Sequence, residues 1–360
     1  MMIHNEVDLF EKRYQENHCV DGVSFVAYKN GRLATDDDNA LFTGLYLAAA
    51  AFRYASTPHS DDNLNAVCNA LDGISLLTSV SGTNGVLVRQ AFPLENAWDR
   101  IGYDPVMSMV PGNTFGQRIR DGYLFHGEYQ GKEYAFLTRT TKDQITGILF
   151  GLTCAWHLVP PARDQIFIIV DDLWQRMNKT NYSLRDHTGN THGTTAHMLD
   201  EPLKVCLKSL YKAVINRTAP KADSFFFNPF INWLMTLHYN RTIQGTYSYN
   251  LNLLMAHALL MLEPYHKCDV GVRQWRKRLH DMVAKDSNPH FDMLGVGHMT
   301  VGSVDALWRR INVPYHKGFC WSRDPEEWFG FSSSSDKVGP GIDVLLPYWM
   351  HQYYSEHQLT

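Results

Sequence analysis

A helix-opening signature occurs twice in this chain and constrains its fold more than any other feature. Asp38-Asn39-Ala40-Leu41-Phe42-Thr43-Gly44-Leu45-Tyr46-Leu47 is echoed by Asp143-Gln144-Ile145-Thr146-Gly147-Ile148-Leu149-Phe150. In each copy a carboxylate and an amide stand ahead of a run too apolar to face water. A helix that is apolar on every side must be surrounded by protein. Both copies are therefore expected as buried helices presenting an acid-amide pair at their amino ends, which is how a helical scaffold builds a polar mouth.

Helical periodicity recurs over 38–56, 61–80, 142–158, 162–178, 200–216, 228–239, 247–262, 270–285, 302–312 and 342–355, so the chain is expected to be nearly all helix. The helices are of two kinds. Segments 41–52, 145–159 and 251–262 are apolar on almost every side and read as inner helices. In 270–285 only Val272, Trp275, Leu279, Met282 and Val283 make an apolar stripe, with Arg273, Arg276, Lys277, Arg278 and Lys285 around it, as in an outer helix. Leu64, Val67, Leu71 and Ile74 give segment 61–80 the same one-faced character. Inner followed by outer across a tight joint, as at Val159-Pro160-Pro161, is an αα-hairpin, and several in sequence can close into a ring. One long interruption, 81–140, is rich in glycine and short β-type runs and is expected as a lid-like insertion; 315–330 reads as a second irregular closure.

Composition bounds the function. At 44% hydrophobic and 19% charged residues the chain can bury a large core, and one continuous domain over 1–360 is expected. The formal charge of -4, from 33 basic and 37 acidic residues spread along the chain, offers no basic field for nucleic acid. The first residues turn acidic before any apolar run, so no secretory signal is expected, and the protein is expected to be cytoplasmic or released without a signal peptide. No apolar run is long enough for a membrane span. The six cysteines are far apart, without the spacing of a zinc site or a redox motif, and no metal or cofactor is expected.

On the runs Asp38-Asn39, Thr43-Gly44-Leu45-Tyr46-Leu47-Ala48-Ala49, Asp143-Gln144, Thr146-Gly147 and Gly341-Ile342-Asp343-Val344-Leu345-Leu346-Pro347-Tyr348-Trp349, the chain resembles the (α/α)6 toroids of the six-hairpin glycosidase-like group. The resemblance spans nearly everything after Thr35. It implies an all-α toroid of inner and outer helices, with β-hairpin and loop insertions over a cleft formed at the inner helices' amino ends. It also implies a soluble, carbohydrate-active enzyme.

Glycosidic cleavage needs one carboxyl group to protonate the leaving oxygen and another to activate water or attack. Asp143 and Asp38 are the leading pair, although an Asp at a helix start also caps backbone amides. Asn39 and Gln144 beside them are candidate substrate ligands. Tyr249 opens the 251–262 helix at the equivalent place and is an auxiliary acid-base candidate. His192 and His197 lie with His187 in a loop of small polar residues and are candidates for binding and for catalysis, respectively. Arg89 and Arg139 end β-type runs, where a guanidinium could meet a uronate carboxylate. Trp98 and Trp321 lie in irregular segments, where an exposed indole suits a sugar face.

Three functions follow. The first is a glycoside hydrolase acting on an oligo- or polysaccharide. The second is a polysaccharide lyase on a uronate-containing glycan, and the third is a noncatalytic glycan-binding toroid.

Overall fold

A computed structural model describes residues 2–28, 30–34, 38–57, 60–95, 124–191, 199, 201–216, 246–263, 270–311 and 337–357. Its described residues form a mainly helical fold with three small antiparallel sheets. The helices are α1 (Met2–Asn17), α2 (Asn39–Ser56), α3 (Asp61–Ser79), α4 (Lys142–Leu158), α5 (Arg163–Lys179), α6 (Glu201–Asn216), α7 (Thr246–Met261), α8 (Val270–Val283), α9 (Pro289–Val296), α10 (Val301–Ile311) and α11 (Ile342–Glu356). In the sheets, β1 (Cys19–Val20) pairs β2 (Val23–Ser24), and β3 (Val26–Tyr28) lies between β4 (Leu33–Ala34) and β8 (Lys337–Val338). The third places β7 (Lys132–Leu137) between β5 (Gln90–Pro93) and β6 (Leu124–Tyr129).

The expected division of helices is visible in burial. Every residue of α2 from Asn39 to Phe52 is buried, as is α4 from Gln144 to Trp156. By contrast α5 buries only Ile166, Ile169, Val170, Leu173 and Met177, one stripe at helical spacing. The two copies of the repeat pack directly on one another. A side chain at Gly44 would lie 2.1 Å from the Gly147 carbonyl oxygen, and one at Gly151 would lie 2.1 Å from the Gly44 carbonyl oxygen. The helices therefore touch backbone to backbone, and only glycine permits that approach.

Pairwise contacts fix helix directions. Gln144, in the first turn of α4, bonds Asp38 at the start of α2, while Gly151 meets Gly44 further along, so α2 and α4 are parallel. Phe150 meets His257 and Cys154 meets Met261, which aligns α7 with α4. His290 bonds Asn250 and the Leu294 carbonyl bonds His257, which aligns α9 with α7. Phe52 packs on Tyr353 and Tyr354, joining the carboxyl-terminal halves of α2 and α11. The amino ends of α2, α4, α7 and α9 thus lie toward one side.

The centre of this group holds satisfied polar groups. His257 Nδ1 donates to the Leu294 carbonyl (3.2 Å) and Nε2 accepts from the Tyr354 hydroxyl (2.9 Å), so the neutral ring uses both nitrogens. His290 Nε2 donates to Asn250 Oδ1 (2.6 Å). Burial pushes the pKa of each histidine down to about 3, and for His257 the nearby Arg276 charge adds to the effect.

Three features were not expected from the sequence: α1, α9 and the short strands before residue 35. The expected helix 228–239 and the irregular 315–330 lie outside the described residues. The described part of 81–140 is the β5-β7-β6 sheet. It is sewn to the helix ends, with Arg89 N–H donating to the Leu137 carbonyl (2.8 Å) and Ala40 N–H to the Arg89 carbonyl (3.1 Å).

Gly44→Ala should destabilise the fold by about 1–3 kcal/mol or more, because the added methyl must push two backbones apart; urea unfolding of the variant measures this. Stability should also fall as pH drops from the ordinary histidine value of 6.5 toward 3. There the unfolded chain takes up protons that buried His257 and His290 refuse, with a slope approaching about 1.4 kcal/mol per pH unit for each. Urea midpoints measured across that range should show the slope, and His290→Gln should flatten it.

Candidate functional site

The side where the amino ends gather carries the acid-amide pairs, and the structure brings several of the expected residues together. Asp38 stands at the start of α2. Its Oδ1 accepts from Gln144 Nε2 (2.7 Å) and from Arg89 Nη2 (3.2 Å). Arg89 Nη1 donates to the Arg139 carbonyl (2.8 Å), which Arg139 presents by adopting a left-handed backbone, φ 68°. Gln144 Oε1 accepts from Thr141 N–H (2.9 Å) and Thr141 Oγ1 (2.8 Å), a capping box that starts α4. One network therefore ties α2, α4 and the strand ends together, with the Arg89 side chain nearly buried and that of Asp38 one-third exposed at 33%.

Asn39 is turned inward, 1% exposed, and its Nδ2 donates to the Ser24 carbonyl (2.6 Å). Tyr249 is buried at 7% exposure. The Arg139 side chain is exposed and lines a small cleft with Thr138, Thr140, Leu184, Arg185 and Asp186. His187 packs edge-on against Phe125 and Phe136 of the sheet. His192, His197, Trp98 and Trp321 lie outside the described residues.

Asp38 is one of four acids in the opening turns of buried helices, and their partners differ. In α11, Asp343 Oδ2 accepts from Arg310 Nε (2.8 Å) and Nη2 (2.5 Å), and both residues are buried. In α9, Asp292 accepts from His280 Nε2 (2.9 Å), Ser303 Oγ (2.5 Å) and Thr300 Oγ1 (3.1 Å). Burial alone would raise the Asp292 pKa, but these hydrogen bonds outweigh it and hold the carboxyl below its ordinary value. The aspartate sits between histidine and serine here, so the histidine cannot take a proton from the serine and the trio is structural. Asp143 is different. It is half-buried in the first turn of α4 and has no hydrogen-bond or ion-pair partner among the described residues.

No group of histidine, cysteine and acidic side chains suited to a metal ion occurs among the described residues. No single helix among them is long and apolar enough to cross a membrane. Comparison with known proteins finds no matching family model, no matching curated protein and no matching solved structure.

A second polar feature escaped the sequence reading. Glu11 of α1 is only 6% exposed and accepts a hydrogen bond from the Tyr46 hydroxyl, while Arg53 Nη1 lies 3.5 Å away. Burial raises its pKa, and Arg53, Tyr46 and Gln15 oppose that in part. Its signal was its register: Glu11 falls between Val7 and Tyr14 on the buried face of α1, where an acid has to find a partner.

Arg89→Ala should cost about 1–3 kcal/mol, because it removes the donor that links Asp38 to the Arg139 carbonyl. Arg89→Lys should recover only part of this, since an ammonium lacks the fork that reaches both acceptors. Thermal melts of the two variants test the difference.

Proposed function

We propose that this chain is a carbohydrate-active hydrolase whose reaction takes place at the gathered amino ends of its inner helices, with Asp143 as the key carboxyl group. The observation that carries this reading is the contrast among the four helix-opening acids. Asp38, Asp292 and Asp343 are each matched by Arg89, His280 or Arg310, whereas Asp143 has no such partner among the described residues. A half-buried acid that the fold leaves uncommitted, on the helix whose Gln144 bonds an acid that the fold fixes, suits the division of labour that glycosidic cleavage asks for. Asp143 gives the proton to the leaving oxygen. Asp38, whose negative charge is matched by Arg89, remains ionised and acts as base or nucleophile.

The architecture supports the same reading. In sequence order α2, α4, α6, α7, α9 and α11 each pack on the next, and α11 packs back on α2, with α3, α5, α8 and α10 lying against them. This succession supports, as part of the proposal, an (α/α) toroid with its mouth at the Asp38 and Asp143 end. A hydrolase is favoured over a uronate lyase because Arg89, one of the two arginines a lyase would use on a substrate carboxylate, is spent on Asp38 and the Arg139 carbonyl.

The test is reducing-end release from a panel of neutral and acidic oligosaccharides. Asp143→Asn should lower turnover by about 100-fold or more and leave the circular dichroism spectrum and melting temperature close to those of the parent. Retained turnover in that variant would remove this mechanism. A new ultraviolet-absorbing double bond in the product would point to elimination instead, and saturable glycan binding without product to a noncatalytic role.

A further inference from the structure

The space between the inner helices is closed by aromatic rings around His257. This side chain packs against Phe150 of α4 (6.0 Å), Phe52 of α2 (6.5 Å) and Tyr354 of α11 (5.8 Å), and it bonds the Leu294 carbonyl of α9. One face of α7 therefore looks onto four other helices at once. Asn250 lies on that face, two turns nearer the amino end, and is fully buried at 0% exposure. Its Oδ1 accepts from His290 Nε2 (2.6 Å), which assigns the two ends of the amide. The other end, Nδ2, is a donor with no hydrogen-bond partner among the described residues.

Helix register sets Asp143 across from it. In both contacts between α4 and α7, Phe150 with His257 and Cys154 with Met261, the partners are 107 positions apart. Carried two turns toward the amino ends, the same register brings Asp143 opposite Asn250, on the face of α4 that Phe150 marks. The two groups are complementary in what they lack. Asp143 is a half-buried acceptor and Asn250 Nδ2 a buried donor, and neither has a hydrogen-bond partner among the described residues. A buried donor left in this state is rare, because the hydration it lost on folding is not returned. A hydroxyl group answers both sides, since its oxygen accepts from the amide while its proton goes to the carboxyl group. An anionic group would meet Asp143 with like charge, and an ammonium group has no acceptor to offer the amide. Because a carboxyl group has two oxygens, one can take this hydroxyl while the other serves the leaving oxygen.

We propose that Asn250 is a substrate-orienting residue at the floor of the mouth, donating from Nδ2 to a sugar hydroxyl that Asp143 holds from the other side. His290 is then a positioning residue, which keeps the amide turned with its donor free. The identity of the substrate rests on the hydrolase reading; the role of Asn250 in holding it is tested apart from turnover.

Nitrogen–proton correlation spectra of the isotope-labelled full chain are followed while the oligosaccharide panel is added, with the Asn250 side-chain signal identified by its loss in Asn250→Leu. Should that variant fail to fold, Asn250→Asp, which keeps the acceptor for His290, identifies the signal. The Asn250 signal is expected to move with a saturable Kd, and the substitution should weaken that Kd by about tenfold or more. In a series of monodeoxy analogues, one deletion should cost the parent the same factor and the variant little further, which a merely structural role would not produce. Turnover with an unmoved Asn250 signal and an unchanged KM in the variant would overturn the assignment and leave the hydrolase standing. A moved signal without product would support the site and remove the hydrolysis. No movement with any member of the panel would overturn the assignment.

Discussion

The backbone contact between α2 and α4 sets the geometry on which the rest of the fold depends. Gly44, Gly147 and Gly151 bring two main chains to a separation that no side chain would allow. That closeness places Gln144 within 2.7 Å of Asp38 and lets one capping box and one guanidinium serve two helices and a sheet. A wider crossing would leave Asp38 and Gln144 as separate polar groups at separate helix ends. Small residues in the middle of two apolar segments thus determine what happens at their tips.

The buried polar groups show a common logic. His257, His290, Asp292, Arg310 and Asp343 all sit among apolar side chains, and each meets a partner from a different helix. A buried polar group without a partner costs more than a satisfied one returns, so each pair favours one relative placement of its helices over neighbouring ones. Apolar packing can tolerate small slides between helices, and hydrogen bonds at these distances tolerate them less well. Against that background an acid left without a partner, as Asp143 is among the described residues, stands out.

Much of this was legible in the residues, for identifiable reasons. All-round apolarity marked α2, α4 and α7 as inner helices because burial on every side is written into composition; the stripe of α8 holds for Val272, Trp275, Leu279 and Val283, but Met282, expected on it, is 40% exposed and Arg276, expected around it, is buried. The near-repeat placed both Asp38 and Gln144 at the amino ends of buried helices, but the bond between them crosses its register, since Asp38 corresponds to Asp143 and Gln144 to Asn39. Arg89, singled out for a substrate, bonds Asp38, and a partner 51 positions away leaves no periodic trace. Helix α1 escaped because its apolar stripe is thin and Leu9 faces outward at 55% exposure, and α9 because it has only 8 residues. Strands of two or three residues, such as β1 to β4, are too short to display alternation.

The shared direction of α2, α4, α7 and α9 has an electrical consequence. Each helix carries a backbone dipole equivalent to about half a positive charge at its first turn, and dipoles that point the same way add rather than cancel. The backbone's partial positive charges at this pole are met by the carboxylates of Asp38, Asp143 and Asp292, which stand in the opening turns of α2, α4 and α9. Helix dipole and acidic side chain thus stabilise one another at the tips, so the acids that open these helices also help to hold them in a common direction.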